Sequence, residues 1–479
     1  MSHGIATGKR WLALYILCLG ELMIVLDTTI VNVALPSIRT DLHFTATSLV
    51  WVVNSYLLTF GGFLLLGGRL GDLFGHRRIF LHGLALFTLA SAACGLASTQ
   101  GQLIAARAIQ GLGGAVVSAV ALSLIMNVFT ESGERARAMG IYGFVCSGGG
   151  SIGVLLGGLL TSSLNWHWIF LVNVPIGIAV YVMCRGLLPE HRSQVVSPQV
   201  DVAGAVVVTT SLMLAVYAIV NGNDIGWGAF ATLWKLAAAL VLMIAFVVIE
   251  SRVRAPLMPL SLFSRRSVSI ANIVAVLWAA GMFAWFFISA LYLQLVLGQG
   301  PMQVGMAFLP ANLIMAVCSL GISAMLVMRF GIRIPLVAGL LLVAAGLALF
   351  ARAPVDGNVW RDVVPAMVLL GTGAGIAFNP LLLAAMNDVP QSDSGLASGM
   401  VNTSFMMGGA LGLAILASLA AAQTRTAAAA GVSALEALNS GYRLAFVAGA
   451  AFTVVAAVIA VIMTGKASRP ATGAEGHLM

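Results

Sequence analysis

Charged residues are scarce in this chain. Only 8% of its 479 residues are Asp, Glu, Lys or Arg, whereas a soluble domain carries about 25%, so a soluble globular protein is excluded. The five cysteines have no paired spacing, which argues against disulfides or a metal site and favours packing roles. A glycine-rich phosphate loop ending in GK[ST] is also missing, and this argues against a nucleotide-driven protein.

Hydrophobic runs of about 20 residues recur along the whole chain, and 60% of the residues are hydrophobic. Each run can cross the ~30 Å hydrocarbon core of a bilayer as a helix, and the shorter alternating segments of a membrane barrel are absent. The sequence therefore predicts an all-α integral membrane protein with fourteen transmembrane helices. By run length they lie at roughly 11–33, 47–67, 79–97, 102–128, 138–160, 168–186, 202–220, 230–249, 269–296, 303–327, 334–351, 363–386, 395–421 and 442–464.

The formal net charge of +8 is explained by membrane orientation and needs no nucleic-acid partner. With the N-terminus inside, most of the 24 Lys and Arg residues fall in cytoplasmic loops, as the positive-inside rule requires. We therefore expect a bacterial plasma-membrane protein with both termini in the cytoplasm. Lys9 and Arg10 resemble a signal-peptide leader, but the following run is too long and contains two acids, so it is retained as a helix.

A weak internal repeat indicates how the helices are grouped. The tetrapeptide FGHR at 74–77 follows the second predicted helix, and FGIR at 330–333 follows the tenth. The glycine-rich fifth and thirteenth helices have the same offset. We predict two pseudo-symmetric six-helix bundles plus two inserted helices, with a substrate site between the bundles. The three regions are an N-terminal bundle at 1–192, inserted helices at 193–262 and a C-terminal bundle at 263–479.

Four motifs together point to a known family. They are LDTTIVNVALP at 26–36, GRLGD at 68–72, RAIQG at 107–111, and WHWIF at 166–170 followed by NVP. This set strongly resembles the fourteen-helix drug:proton antiporters of the major facilitator superfamily. The resemblance extends from about the first to the last helix, although the motifs concentrate in the first half. It implies efflux of drugs or antibiotics, driven by inward proton flow through alternating access.

Three charged residues fall deep inside predicted helices, namely Glu21, Asp27 and Arg107. A charge at the bilayer centre costs roughly 2.5–3.5 kcal/mol even on lenient scales, so each is a functional candidate. Asp27 and Arg107 lie about 9 Å and about 7 Å from the outer ends of antiparallel helices, so they can meet. A change in water access or in their separation would load and release a proton, the role that the family resemblance also implies. The alternative is a static ion pair that joins two helices.

Glu21 lies outside the family motif. Six residues separate it from Asp27, which corresponds to about 9 Å in depth and about 120° around the helix. Glu21 shares a helix face with Thr28 and Asn32 instead. Three roles stay open for Glu21: binding a cationic substrate, sharing the coupled proton, or hydrogen bonding within the bundle.

A second group of residues is predicted to support conformational change. The resemblance implies that Asp72 faces the N-terminus of helix 13, near Ser394, where a carboxylate contributes roughly 0.3–1 kcal/mol. Membrane topology explains the basic residues of the loop after the second helix equally well. The glycine residues of the fifth helix also permit ordinary close packing between helices. Val154 stands where the family has a proline, which leaves the direction of transport open. The predicted switch residues are Gly68, Gly71, Asp72, Gly75, Arg77, Arg78, Gly149, Gly153 and Gly157.

The predicted substrate surface combines polar and aromatic side chains, because cations over aromatic rings gain ~0.5–2 kcal/mol. Aromatic residues also form belts at membrane interfaces, so any single one is weak support. The candidates are Glu21, Thr28, Asn32, Asn54, Tyr56, Gln110, Trp285, Gln294 and Asn379.

The leading hypothesis is a monomeric, cofactor-free transporter that exports small hydrophobic substrates, cationic or neutral, in exchange for protons. A proton-coupled importer of a small organic solute is the alternative. A membrane enzyme lacks support, because no nucleophile lies beside a base and no cluster has metal-ligand spacing. A channel would need a continuous polar pore, and the C-terminal half offers no buried acid.

Overall fold

The computed structural model describes residues 7–129, 131–187, 201–254, 256–387, 389–390 and 393–463. Within these ranges it is helical with no β-strand, and fourteen helices are long and apolar enough to span a membrane, which confirms the predicted fold class. They are α1 (Arg10–Asp41), α2 (Val50–Phe74), α3 (His76–Gly95), α4 (Gln100–Val128), α5 (Arg137–Ser163), α6 (Trp168–Leu187), α7 (Val202–Ile225), α8 (Phe230–Arg252), α9 (Arg266–Val296), α10 (Pro301–Phe330), α11 (Arg333–Phe350), α12 (Val359–Met386), α13 (Gly395–Ala429) and α14 (Ala434–Val461).

The helices extend further than their hydrophobic runs. α1 was expected to end near residue 33 but continues past Pro36 to Asp41. α13 continues to Ala429, and α14 begins at Ala434 instead of near residue 442. A hydrophobic run marks only the part of a helix that lies in the hydrocarbon core. The helix itself can continue into the polar interface with its backbone hydrogen bonds intact.

The helices pack in two groups. In the first group α4 packs against α2 and α3, and α1 packs against α5 and α6. In the second group α9 packs against α13 and α14, and α11 packs against α12 and α14. The groups meet along α2–α13 and along α5–α10, while α7 packs against α2 and α13 and carries α8 on its outer side. The predicted boundary at 192–193 lies outside the described residues, and the three-region division stays a prediction.

The seam between α5 and α10 is packed more tightly at one end than at the other. We call the side on which α1 begins the N-terminal side and the opposite side the far side. Towards the far side, a Cβ added to Gly158 would lie 2.8 Å from the Pro301 carbonyl oxygen. Towards the N-terminal side, a Cβ on Gly143 would meet no atom within 4 Å, and Phe144 and Met328 are exposed. The α5–α10 contact is therefore looser towards the N-terminal side.

Candidate functional site

Asp27 is fully buried and accepts hydrogen bonds from two other helices. Arg107 of α4 donates from Nη1 to Oδ2 of Asp27 in a direct ion pair. On the other carboxylate oxygen, Gln110 Nε2 donates to Oδ1 at 2.7 Å and Asn173 Nδ2 of α6 donates at 3.0 Å. A buried carboxylate is tolerated where donors satisfy both oxygens in this way.

Arg107 is held on several sides besides the carboxylate. Its Nε donates to the Val52 carbonyl oxygen of α2 at 3.0 Å, and its Nη1 donates to Oε1 of Gln110 at 2.8 Å. The guanidinium carbon lies 4.3 Å from the ring centroid of Tyr56, a cation–π contact. The predicted substrate candidates Tyr56 and Gln110 are thus neighbours of the ion pair, with 1% and 0% of their surfaces exposed.

Ser91 and Asn173 complete this cluster and were not among the predicted site residues. Ser91 Oγ accepts from Gln110 Nε2 at 3.0 Å and from Asn173 Nδ2 at 3.1 Å, and it donates to the Phe170 carbonyl oxygen. Asn173 lies in the NVP segment that follows the WHWIF motif. That segment was the one sequence signal that could have identified Asn173, whereas nothing in the sequence distinguishes Ser91.

Glu21 has a separate environment nearer the N-terminal side. Ser118 of α4 places its hydroxyl 2.8 Å and 2.9 Å from the two carboxylate oxygens. Tyr142 of α5 is a further polar neighbour of the Glu21 carboxylate. No cationic side chain pairs with Glu21 among the described residues, although its side chain is buried. This unpaired acid is available to a proton or to a cationic group.

The polar residues that share the Glu21 face are engaged with their own helix. Thr28 Oγ1 donates to the Val25 carbonyl oxygen at 2.8 Å. Asn32 Nδ2 donates to the Thr28 carbonyl oxygen at 3.2 Å. Both side chains retain acceptor atoms that a substrate could use, so their predicted binding role stays a prediction.

Asn54 and Gln294 join the two helix groups. Asn54 Nδ2 of α2 donates to the Ala410 carbonyl oxygen of α13 at 2.9 Å. Gln294, in the π-helical segment Tyr292–Val296, donates from Nε2 to the Val33 carbonyl oxygen of α1 at 2.8 Å. We call this pair of hydrogen bonds the amide clasps; the donor of each is a side chain that was predicted to line the substrate surface.

Two further candidates lie within the second helix group. Trp285 is 1% exposed and packs against Phe286 and Phe308. Asn379 donates from Nδ2 to the Ser319 carbonyl oxygen at 2.8 Å. The structure therefore does not gather all nine substrate candidates around one space.

Asp72, near the end of α2, pairs with the first residue of α3. Asp72 Oδ1 lies 3.1 Å from His76 Nε2, and the approach of Asp72 to the start of α13 stays a prediction. Arg77 donates to the Arg185 carbonyl oxygen, and Arg78 is exposed. Gly75 has a φ of 92°, the left-handed region that a side chain disfavours, and it begins the turn into α3.

The glycine face of α5 is in contact with α1. A Cβ on Gly153 would lie 3.1 Å from the Leu26 carbonyl oxygen, and one on Gly157 would lie 2.7 Å from that of Ile30. A Cβ on Gly149 would contact the side chains of Leu22 and Val25. The bare face thus lets α5 approach the helix that carries both buried acids.

Comparisons with known proteins agree with this architecture. The profile of the Major Facilitator Superfamily matches residues 17–413. The chain is 40% identical to the puromycin resistance protein of Streptomyces alboniger over 85% of this chain and 81% of the relative. It is 38% identical to a cephamycin export protein of Amycolatopsis lactamdurans over 96% of this chain and 94% of that relative. It is 34% identical to the tetracenomycin C resistance and export protein of Streptomyces glaucescens over 88% of this chain and 79% of that relative.

The chain belongs to the major facilitator superfamily. This confirms the family predicted from the motifs, and it makes the protein a multi-pass membrane transporter and not an enzyme. The named relatives are bacterial exporters or resistance proteins.

This superfamily member also buries two acids, Asp201 and Glu250, at the N-terminal side of α7 and α8, and neither was among the predicted site residues. Asp201 caps α7 by accepting from Gly204 N at 2.7 Å, and Glu250 accepts from Met258 N at 3.0 Å. Their other oxygens, Oδ2 and Oε1, both lie within 3 Å of where a Cβ on Gly204 would be. Within the described residues, neither oxygen accepts a hydrogen bond from a third group, and the two carboxyl groups interact with one another.

Proposed function

We propose that this transporter exports small hydrophobic antibiotics or drugs in exchange for protons, by alternating access across the cytoplasmic membrane. The observation that carries the proposal is the fully buried Asp27 carboxylate, whose donors come from α4 and α6. A protonated Asp27 accepts fewer and weaker hydrogen bonds than the carboxylate does. Proton binding therefore loosens α1 from two neighbouring helices at once.

Glu21 supplies a second acidic position at a different depth. It lies about 9 Å from Asp27 along α1, towards the N-terminal side. The lack of a basic partner suits Glu21 to a protonated amine of a substrate or to a proton in transit. The names of the relatives, which include puromycin resistance and cephamycin export, support export of small organic antibiotics.

The direction and membrane orientation are part of the proposal. We assign the N-terminal side to the cytoplasm because most basic loops lie there. The looser packing of α5 against α10 on that side supports a substrate entry path from the cytoplasm. Asp72, now paired with His76, would then meet the start of α13 when the cytoplasmic side closes. A monomer contains every element of this scheme.

The test uses purified protein in liposomes with an imposed pH gradient. Puromycin, a cephamycin and tetracenomycin C are added in turn while an internal dye reports the gradient. We expect substrate-triggered proton movement with wild-type protein and none with Asp27→Asn. Uphill transport retained by Asp27→Asn would exclude Asp27 as the coupling site.

The importer stays the second candidate because Val154 occupies the position of the family proline. α5 runs through this position without a break, whereas a proline would kink it. Labelled substrate in the same liposomes separates the two functions. Opposite movement of substrate and proton supports export by antiport, and movement in the same direction supports import.

A further inference from the structure

A pocket of about 270 Å³ lies on the far side, between the two helix groups. The first group contributes the end of α1 and the α1–α2 loop, including Arg39 and Thr47. The second group contributes parts of α9, α13 and α14, and Asp224 of α7 completes the wall. We call this the far-side pocket, and none of the residues predicted from the sequence lines it.

The body of the far-side pocket is apolar. Phe287, Ile288 and Leu291 of α9 form one wall, and Ala417 and Ala421 of α13 form another. The small alanine side chains leave the open volume between the helices. Mostly apolar concave pockets with a few polar groups are typical of small-molecule sites.

The charged groups at the rim leave one positive charge unmatched. Arg425 Nη1 lies 2.6 Å from Asp224 Oδ1, so these two groups neutralise one another. Arg39 is half-buried, and its guanidinium makes no hydrogen bond or ion pair within the described part of the chain. It interacts electrostatically with the phenol of Tyr442, which also lines the pocket. A guanidinium that has no hydrogen bond or ion pair and lies beside an apolar cavity favours a bidentate anion such as a carboxylate or phosphate.

We propose that the far-side pocket binds an amphipathic anion, with its apolar body between α9 and α13 and its carboxylate or phosphate on Arg39. This ligand chemistry has two sources, an acidic solute and the headgroup region of an anionic lipid. The site is distinct from Asp27 and Glu21, and it would hold a ligand of opposite charge to the cations that Glu21 attracts.

The binding test uses the full-length protein in dodecyl maltoside and a fluorescent probe pair. The probe is 11-(dansylamino)undecanoic acid, and its control is the matching uncharged amide. We expect saturable binding of the acid at least tenfold tighter than that of the amide. Arg39→Gln should remove this preference while amide binding persists, which shows that the variant is folded. Arg361→Gln, an exposed arginine on the same side outside the pocket, is the matched control and should bind like wild type.

A second variant tests the apolar body independently. Ala421→Phe fills the space and should weaken the acid and the amide alike. Equal affinity of wild-type protein for acid and amide, or an Arg39→Gln variant that keeps the preference, would overturn the proposal.

Competition then separates the two sources. Displacement of the acid probe by dihexanoyl phosphatidylglycerol supports an anionic lipid, and displacement by benzylpenicillin supports an acidic solute. Equal displacement by the zwitterionic dihexanoyl phosphatidylcholine would show that charge is not recognised and would also overturn the proposal.

Discussion

The Asp27 carboxylate and the Arg107 guanidinium are in direct contact, with 0% and 1% of their side chains exposed. The contact joins α1 to α4, and Asn173 joins the same carboxylate to α6. Three helices therefore depend on the charge state of one group. Such a group can convert the binding of a proton into a change of helix packing, whereas a pair with no further partners could only hold two helices together.

A double variant separates the relay from a static pair. Arg107→Gln leaves a buried carboxylate without its cation, and breaking such a pair typically costs about 3–5 kcal/mol. The double variant Asp27→Asn, Arg107→Gln removes both charges and should recover most of that stability. We expect neither variant to transport substrate uphill. Thermal unfolding in detergent and liposome transport are the two measurements.

The control for this pair is Arg425→Gln, which breaks an ion pair whose side chains are 48% and 53% exposed. An exposed pair contributes about 0–1 kcal/mol, so its loss should barely change the unfolding temperature. A double variant that pumps as well as wild type would support the static interpretation.

Glu21→Gln should change the charge preference of the transporter. A hydrogen bond to a charged group contributes about 1.5–3 kcal/mol, so the KM for cationic puromycin should rise at least tenfold. Transport of an uncharged substrate should persist. Glu436→Gln, an exposed far-side acid, is the control. Equal loss of cationic and uncharged substrates would remove Glu21 from substrate binding.

The number of helices could be predicted from the sequence because bilayer thickness imposes a run length on each one. The helix ends could not, since α1 continues to Asp41 through a segment of mixed polarity that includes Pro36, Arg39 and Asp41. Backbone hydrogen bonding, and not side-chain hydropathy, determines where such a helix stops.

The ion pair of the site could be predicted from the sequence because the regular geometry of a helix fixes the depth of each residue. Helix rise placed Asp27 and Arg107 at similar depth, and the structure brings them together. Gln110 was assigned to the substrate surface, yet its amide bridges Arg107 and Asp27. Which neighbour an amide faces depends on how α1, α4 and α6 are rotated against one another. Single-helix periodicity does not contain that information, and Ser91 was missed for this reason.

Gly157→Ala should disturb the contact between α5 and α1. The added Cβ would lie 2.7 Å from the Ile30 carbonyl oxygen, so the backbones must separate. Overpacking of this kind costs about 1–3 kcal/mol, and we expect a lower unfolding temperature and slower transport. Gly143→Ala is the matched control on the same helix, because its Cβ would meet nothing within 4 Å. Both variants change helix propensity in the same way, and only Gly157→Ala adds an atom against α1. Equal destabilisation by both variants would therefore show that the contact with α1 is unimportant.

Asp201→Asn should stabilise the protein. The new amide can donate to the unsatisfied Oε1 of Glu250, while Oδ1 continues to cap Gly204. One net hydrogen bond contributes about 0.5–1.5 kcal/mol. Thermal unfolding near neutral pH measures the gain, with the exposed Asp224→Asn as control. A loss of stability as large as that of Asp201→Ala would show that a carboxylate is required there.

The amide clasps should hold the far side closed. Asn54→Leu and Gln294→Leu each remove a side-chain donor that reaches a backbone carbonyl in the other helix group. We expect faster hydrogen–deuterium exchange in the far-side segments 33–49 and 287–300 of both variants, because the two helix groups separate more often on that side. Asn379→Leu breaks a comparable 2.8 Å bond inside the second group and should leave those segments unchanged. If all three variants exchange alike, the clasps do not control opening; if Asn54→Leu and Gln294→Leu alone exchange faster, the two bonds stabilise the closed far side and an outward-facing state becomes more populated without them.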